Sequence, residues 1–165
     1  MKIILPRTRL ALTAGLAASF LTISGSFTSA SAATYWTFKS RQNGRCLTGS
    51  TSGKAWVAGC TGGSTQQWDW VGSGSRYNQL KNRATGTCLT TDFKTYNNAL
   101  WLSTCSSSRP PGQLFGYEDG YIGAWDFSAY RLRTSPSGSD AVYSSDITYA
   151  GIADGYYQWA VGTLT

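Results

Sequence analysis

Gly44-Arg45-Cys46-Leu47-Thr48 and Gly86-Thr87-Cys88-Leu89-Thr90 are one five-residue pattern written twice, 42 positions apart. The likeness continues downstream of both. Ala55-Trp56-Val57-Ala58-Gly59-Cys60 is an alternating stretch that ends on a second cysteine, and Leu100-Trp101-Leu102-Ser103-Thr104-Cys105 is its counterpart. Gln66-Gln67-Trp68 and Gln113-Leu114-Phe115 close the two segments. A third, more altered segment follows. Tyr130-Arg131-Leu132-Arg133-Thr134 takes the Cys-Leu position, Ala141-Val142-Tyr143 takes the alternating stretch, and Tyr157-Gln158-Trp159 takes the close. Three markers in one order, three times over, make this a repeat, and the repeat decides the fold.

Within a segment every signal is β. The expected strands are 36–40, 45–49, 55–59 and 66–71, then 78–82, 87–91, 99–104 and 113–117, then 122–127, 130–134, 141–145 and 156–162. Asn43-Gly44 and Thr85-Gly86 are hairpin turns, because glycine enters the left-handed region without a Cβ clash. Residues 72–75 and 106–112 hold Gly, Ser and Pro and read as loops. No stretch keeps a helical period over ten residues. Alternation assigns the faces. Ala55 and Val57, Leu100 and Leu102, and Ala141 and Tyr143 are expected to face the core beside Leu47, Leu89 and Leu132. Trp68, Phe115 and Trp159 occur once per segment at one place and are expected to meet there.

The N-terminus reads as an export leader. Lys2, Arg7 and Arg9 precede an apolar run, and Ala30-Ser31-Ala32 supplies the small residues of a cleavage site. Cleavage is placed after Ala32, with Ala33 the close second, so residues 1–32 are a signal peptide and 33–165 the mature domain. The alternative, a transmembrane anchor, is disfavoured because the run is short and a cleavage site follows it. Beyond it stand 11 basic and 8 acidic residues, a net +3, so the high isoelectric point does not indicate nucleic-acid binding. Cys46, Cys60, Cys88 and Cys105 all lie in the mature part, and four cysteines in an exported chain read as two disulfides. Spacing alone allows three pairings.

The Gly-x-Cys-Leu start, the second cysteine and the Gln-x-Trp close resemble the ricin-type, or ricin B-like, carbohydrate-binding β-trefoil lectins. The resemblance spans roughly residues 35–162. It implies an all-β trefoil of three repeats and twelve strands, a short barrel capped by three hairpins, with one disulfide inside a repeat. That selects Cys46–Cys60 and Cys88–Cys105. The third copy has Arg131 and Asp146 at the aligned positions. They are expected to form an ion pair in place of the bridge, the alternative being two unrelated solvated charges.

The resemblance also implies where a sugar would sit, and the sequence departs from it there. The family places Asp two residues after the first cysteine, an aromatic two before the second, and Asn before the Gln. Here those positions hold Thr48, Thr90 and Arg133; Ala58, Ser103 and Ser144; and Thr65, Gly112 and Tyr156. Only Gln66 and Gln113 remain, and that Gln also has a structural role. Trp56 and Trp101 stand outward on the alternating strands and are candidate stacking rings, with Asp92 a candidate acceptor for hydroxyls beside Trp101. The alternative is that neighbouring strands or loops cover both indoles. The candidate set is therefore Thr48, Trp56, Gln66, Thr90, Asp92, Trp101 and Gln113.

Catalysis is not expected. The chain has no histidine, so no Ser-His or Cys-His pair exists. The cysteines are expected in bridges, no metal-ligand cluster or cofactor motif is present, and Glu118-Asp119 is the single adjacent acid pair. Strand neighbours point apart and cannot flank one glycosidic bond. The expected partner is a glycan or polysaccharide. The competing partner is a protein, as for a protease inhibitor or toxin-like trefoil, which loops 106–112 and 135–140 would suit. Nucleic acid ranks third, against the modest charge.

Overall fold

The structure is a computed structural model that describes residues 34–72, 76–125, 129–148 and 151–164. The expected leader, residues 1–32, lies outside them. The first segment forms β1 (Tyr35–Ser40), β2 (Cys46–Gly49), β3 (Ala55–Ala58) and β4 (Trp68–Val71). The second forms β5 (Gln79–Asn82), β6 (Cys88–Thr90), β7 (Asn97–Ala99), β8 (Trp101–Ser103) and β9 (Phe115–Glu118). The third forms β10 (Tyr121–Ala124), β11 (Tyr130–Thr134), β12 (Val142–Asp146) and β13 (Trp159–Leu164). The strand count among the described residues exceeds twelve because Leu100 divides one strand. β8 pairs with β6 of its own segment, whereas β7 pairs with β12 of the next.

Six strands close a barrel. β13 pairs β1, β1 pairs β4, β4 pairs β5, and β9 pairs β10. Single bridges, Asn78–Phe115 and Tyr121–Gln158, complete the ring between β5 and β9 and between β10 and β13. The hairpins β2–β3, β6–β8 and β11–β12 cover one end. Gly44 and Gly86 occupy their expected turns at φ +69° and +68°, where a Cβ is strained.

Alternation along the barrel strands drives the rings inward. Trp68, Phe115 and Trp159 are 0% exposed and form one layer with Phe38, Leu80 and Ile122. The indole N–H of Trp68 donates to the Leu47 carbonyl at 3.1 Å, and that of Trp159 to the Leu132 carbonyl at 3.0 Å. The same bond in two copies ties each hairpin to the barrel and satisfies the buried donor. Both disulfides form as the resemblance implied, Cys46–Cys60 and Cys88–Cys105.

Two expectations change. The Gln-x-aromatic motifs do not begin strands. Gln66, Gln113 and Tyr157 end 3-10 turns, Ser64–Gln66, Pro111–Gln113 and Asp154–Tyr157, which swing the side chain under its hairpin. The third hairpin is also displaced by one residue from the string alignment. Leu47 faces Val57 and Leu89 faces Leu102, and the matching partner of Leu132 is Ser144. Val142 and Ser144 are therefore buried, not Ala141 and Tyr143. A one-residue slip exchanges the two faces of a strand.

Candidate functional site

The buried glutamines are the centre of each hairpin. The Gln66 amide donates to the Thr48 hydroxyl at 3.1 Å and to the Gly59 carbonyl at 2.8 Å, and its carbonyl accepts from the Thr61 N–H at 2.8 Å. The Thr48 hydroxyl passes on to the Cys46 carbonyl at 2.8 Å. The second copy repeats the main bonds and adds one from the Gln113 amide to the Ser103 hydroxyl at 2.9 Å. The Gln113 amide donates to the Thr90 hydroxyl at 3.3 Å and the Thr104 carbonyl at 2.9 Å, and its carbonyl accepts from the Ser106 N–H at 2.9 Å. Thr90 donates to the Cys88 carbonyl at 3.0 Å. The Gln113 carbonyl also accepts from the Gln79 amide at 2.8 Å. Thr48, Gln66, Thr90 and Gln113 are thus an internal clamp with its polar atoms paired.

The third copy keeps one bond of the clamp, with different chemistry. Tyr157 stands where the glutamines stand, and its buried hydroxyl has no hydrogen-bond partner among the described residues. The backbone N–H equivalent to those of Thr61 and Ser106 belongs to Thr148, and the Asp146 carboxylate accepts it at 2.8 Å. Asp146 so replaces a glutamine carbonyl, not a cysteine. Arg131 lies with its guanidinium 3.9 Å from the Tyr121 ring centre, and the Tyr121 hydroxyl donates to Asp154 at 2.9 Å. Arg131 and Asp146 do not form the expected ion pair among the described residues. With the register corrected, Ile147 occupies the second cysteine position and Ser145, not Ser144, the position two before it.

Outward positions of the hairpins form a ring around the threefold axis. Trp56 bridges to Ala141, Trp101 to Lys54, and Tyr143 to Ala99. Each pairing joins one copy to the next, so Trp56, Trp101 and Tyr143 are equivalent. They also face equivalent partners across their hairpins: Thr48, Thr90 and Arg133. All three rings are partly exposed. Neighbouring copies therefore flank both tryptophans and cover them in part. Tyr143 was missed in the sequence because the unshifted alignment turned it inward; matching the Leu132 pair would have found it. Arg133 is 3% exposed, lies 4.7 Å from the Tyr143 ring centre and donates to Asn97 at 3.0 Å. Asp92 is exposed and pairs with Lys94 at 3.2 Å.

Two grooves lie between copies at equivalent places. One, about 330 Å³, is lined by Ser50, Thr51, Thr85 and Thr87. The other, about 230 Å³, is lined by Asn43, Arg45, Ser135 and Tyr156. Both offer hydroxyls, and only the second adds side-chain amides, from Gln42 and Asn43, and an aromatic ring.

Comparison with known proteins follows the same lines. The family model described as ricin-type beta-trefoil lectin domain-like matches residues 24–101. A designed threefold-symmetric protein, ThreeFoil, is 25% identical with a TM-score of 0.60, over 77% of this chain and 96% of its own. The chain has the fold of the ricin-type β-trefoil lectins. The C-half of an earthworm R-type lectin, solved in complex with GalNAc, is 12% identical with a TM-score of 0.60, over 80% of this chain and 100% of its own. A ricin B-like lectin of Macrolepiota procera, solved with lactose, is 15% identical with a TM-score of 0.60, over 78% and 94%. No curated protein matches the sequence. On this trefoil the polar set that the resemblance implies for sugar is replaced in every copy, while a ring is kept outward in every copy.

Proposed function

We propose that this trefoil is a secreted, non-catalytic glycan-binding module that holds sugars chiefly by ring stacking. The observation that carries the reading is the set Trp56, Trp101 and Tyr143, one partly exposed ring at the same outward position of each copy. Core packing does not require them, because the core face of each hairpin belongs to Val57, Leu102, Val142 and their neighbours. A pyranose presents a flat C–H face to such a ring, and its hydroxyls meet the serines and threonines around it. The complexes of the earthworm and Macrolepiota lectins with GalNAc and lactose support a sugar as the ligand class.

Export is supported by the leader-like residues 1–32 and by four cysteines joined in two bridges. A binding role without chemistry is supported by the lack of histidine and by the commitment of every cysteine to a bridge. Glu118 pairs with Arg76, and Asp119 sits in the following turn at φ +51°. The test is retention on immobilised polysaccharides beside a protease-inhibition panel. Trp101→Ala is expected to lose retention while keeping its circular dichroism and both disulfides. Inhibition of a protease without any glycan retention would replace this reading with a protein partner.

A further inference from the structure

The end of the barrel opposite the hairpins carries a second aromatic feature. Ser40 and Trp68 lead to the hairpin of their segment, so Trp36 and Trp70 lie toward the far end of β1 and β4. Tyr117 on β9 is the equivalent of Trp70 one copy on. These three rings, with Arg76, Asn78 and Gly116, line a cleft of about 300 Å³. That is the lower end of the small-ligand range, the size of one or two sugar units.

The rings are held in place without a ligand. All three pack on the core, Trp70 edge-on to Phe38 at 5.9 Å and Tyr117 at 6.2 Å from the same ring. The Tyr117 hydroxyl donates to the Trp159 carbonyl at 3.1 Å. Rings already ordered lose little entropy on binding. The polar rim is balanced: Arg76 pairs with Glu118, and Asn78 accepts from Arg109 at 3.2 Å. A neutral ligand with paired donors and acceptors suits this rim better than an anion.

The aromatic surface continues outward. The Arg76 guanidinium lies 5.9 Å from the Tyr77 ring centre, and Tyr77 lies 6.1 Å from Trp125. Trp125 is 51% exposed and has a φ of +26°, a backbone state that a bulky residue rarely adopts. Its N–H is held by the Leu114 carbonyl at 2.7 Å. A strained residue presenting an open indole points to a contact role.

We propose that the barrel mouth is a second glycan-contact site, in which a neutral, equatorially substituted pyranose stacks among Trp36, Trp70 and Tyr117 and the adjoining sugar lies across Tyr77 and Trp125. Equatorial substitution leaves flat C–H faces for the rings and directs hydroxyls to Arg76 and Glu118. The site rests on the glycan-binding reading but uses none of the hairpin rings. A linear polysaccharide is its natural ligand, because the cleft and Trp125 are successive contacts.

The experiment titrates cello-, xylo-, laminari- and chitohexaose into the full mature protein and follows tryptophan indole resonances. Trp125→Ala and Glu118→Gln alter exposed side chains; Trp70→Ala changes the cleft itself. At least one hexaose is expected to shift the Trp36, Trp70 and Trp125 signals in saturable fashion. Trp125→Ala is expected to weaken that event about five- to tenfold, the loss of one stacking contact. Shifts confined to Trp56 and Trp101 would overturn the barrel-mouth site and leave the hairpin reading intact. Shifts at the barrel mouth with unchanged affinity in both Trp125→Ala and Glu118→Gln would also overturn it. No binding of any glycan would overturn both.

Discussion

At the residue scale, the buried glutamines show why a family motif and a binding site separate here. Gln66 and Gln113 look like ligand residues in the sequence, yet every polar atom of their amides is used inside the hairpin. Gln113→Ala removes the partner of the Ser106 N–H and of the Thr104 carbonyl and one of the two acceptors of the Gln79 amide, and is expected to lower unfolding free energy by about 2–4 kcal/mol. Urea denaturation measures it. Tyr157, at the equivalent place, predicts the opposite. Its hydroxyl is buried without a partner among the described residues, so Tyr157→Phe is expected to be neutral or to stabilise by up to about 1 kcal/mol. A loss above 1 kcal/mol would mean that the hydroxyl is satisfied. The resemblance implied a structural role for Gln66 and Gln113, but not their partners, because the Thr48-to-Gln66 contact depends on a 3-10 turn that no periodicity announces. Asp146 illustrates the same limit: its spacing suggested a cysteine substitute, and its partner is the Thr148 N–H.

At the element scale, the two bridged hairpins and the unbridged third differ in what holds them. Each disulfide closes a loop, across 14 and 17 positions of sequence, that the unfolded chain would leave open. Replacing Cys88 and Cys105 together by alanine is expected to cost about 3 kcal/mol, most of it through the unfolded state. Calorimetry of the double variant measures this, and a melting point equal to wild type would contradict it. The third hairpin relies on β11–β12 pairing and on Arg131 over Tyr121. Most strand positions were readable because turn glycines, alternation and the repeat agreed. The starts at Gln66, Gln113 and Tyr156 were not, because 3-10 turns stand there. Register was not, in the third hairpin alone. Ala141-Val142-Tyr143 copies the apolar look of Ala55-Trp56-Val57, but Ser144 is the residue that faces Leu132. A buried serine carries no apolar mark, so composition pointed one residue too early.

At the scale of the whole molecule, the repeat led directly to the barrel, because three equivalent aromatics can share one axis only in a threefold arrangement. Trp68, Phe115 and Trp159 are there, fully buried. The same symmetry places Trp56, Trp101 and Tyr143 around the hairpin end, where they are not needed for packing. The polar sugar ligands implied by the resemblance are replaced, so in the proposed reading stacking supplies the affinity, and binding is expected to be weak per site and stronger across several. The most direct test is isothermal titration of the neutral hexaose that best retains the protein on a column, comparing wild type with Trp56→Ala/Trp101→Ala. If the outward rings hold the sugar, wild type binds saturably and the double variant, with unchanged circular dichroism, loses at least about tenfold in affinity, or about 1.4 kcal/mol. Equal affinity in the two proteins would contradict that role for the rings, as would a wild type that binds no glycan.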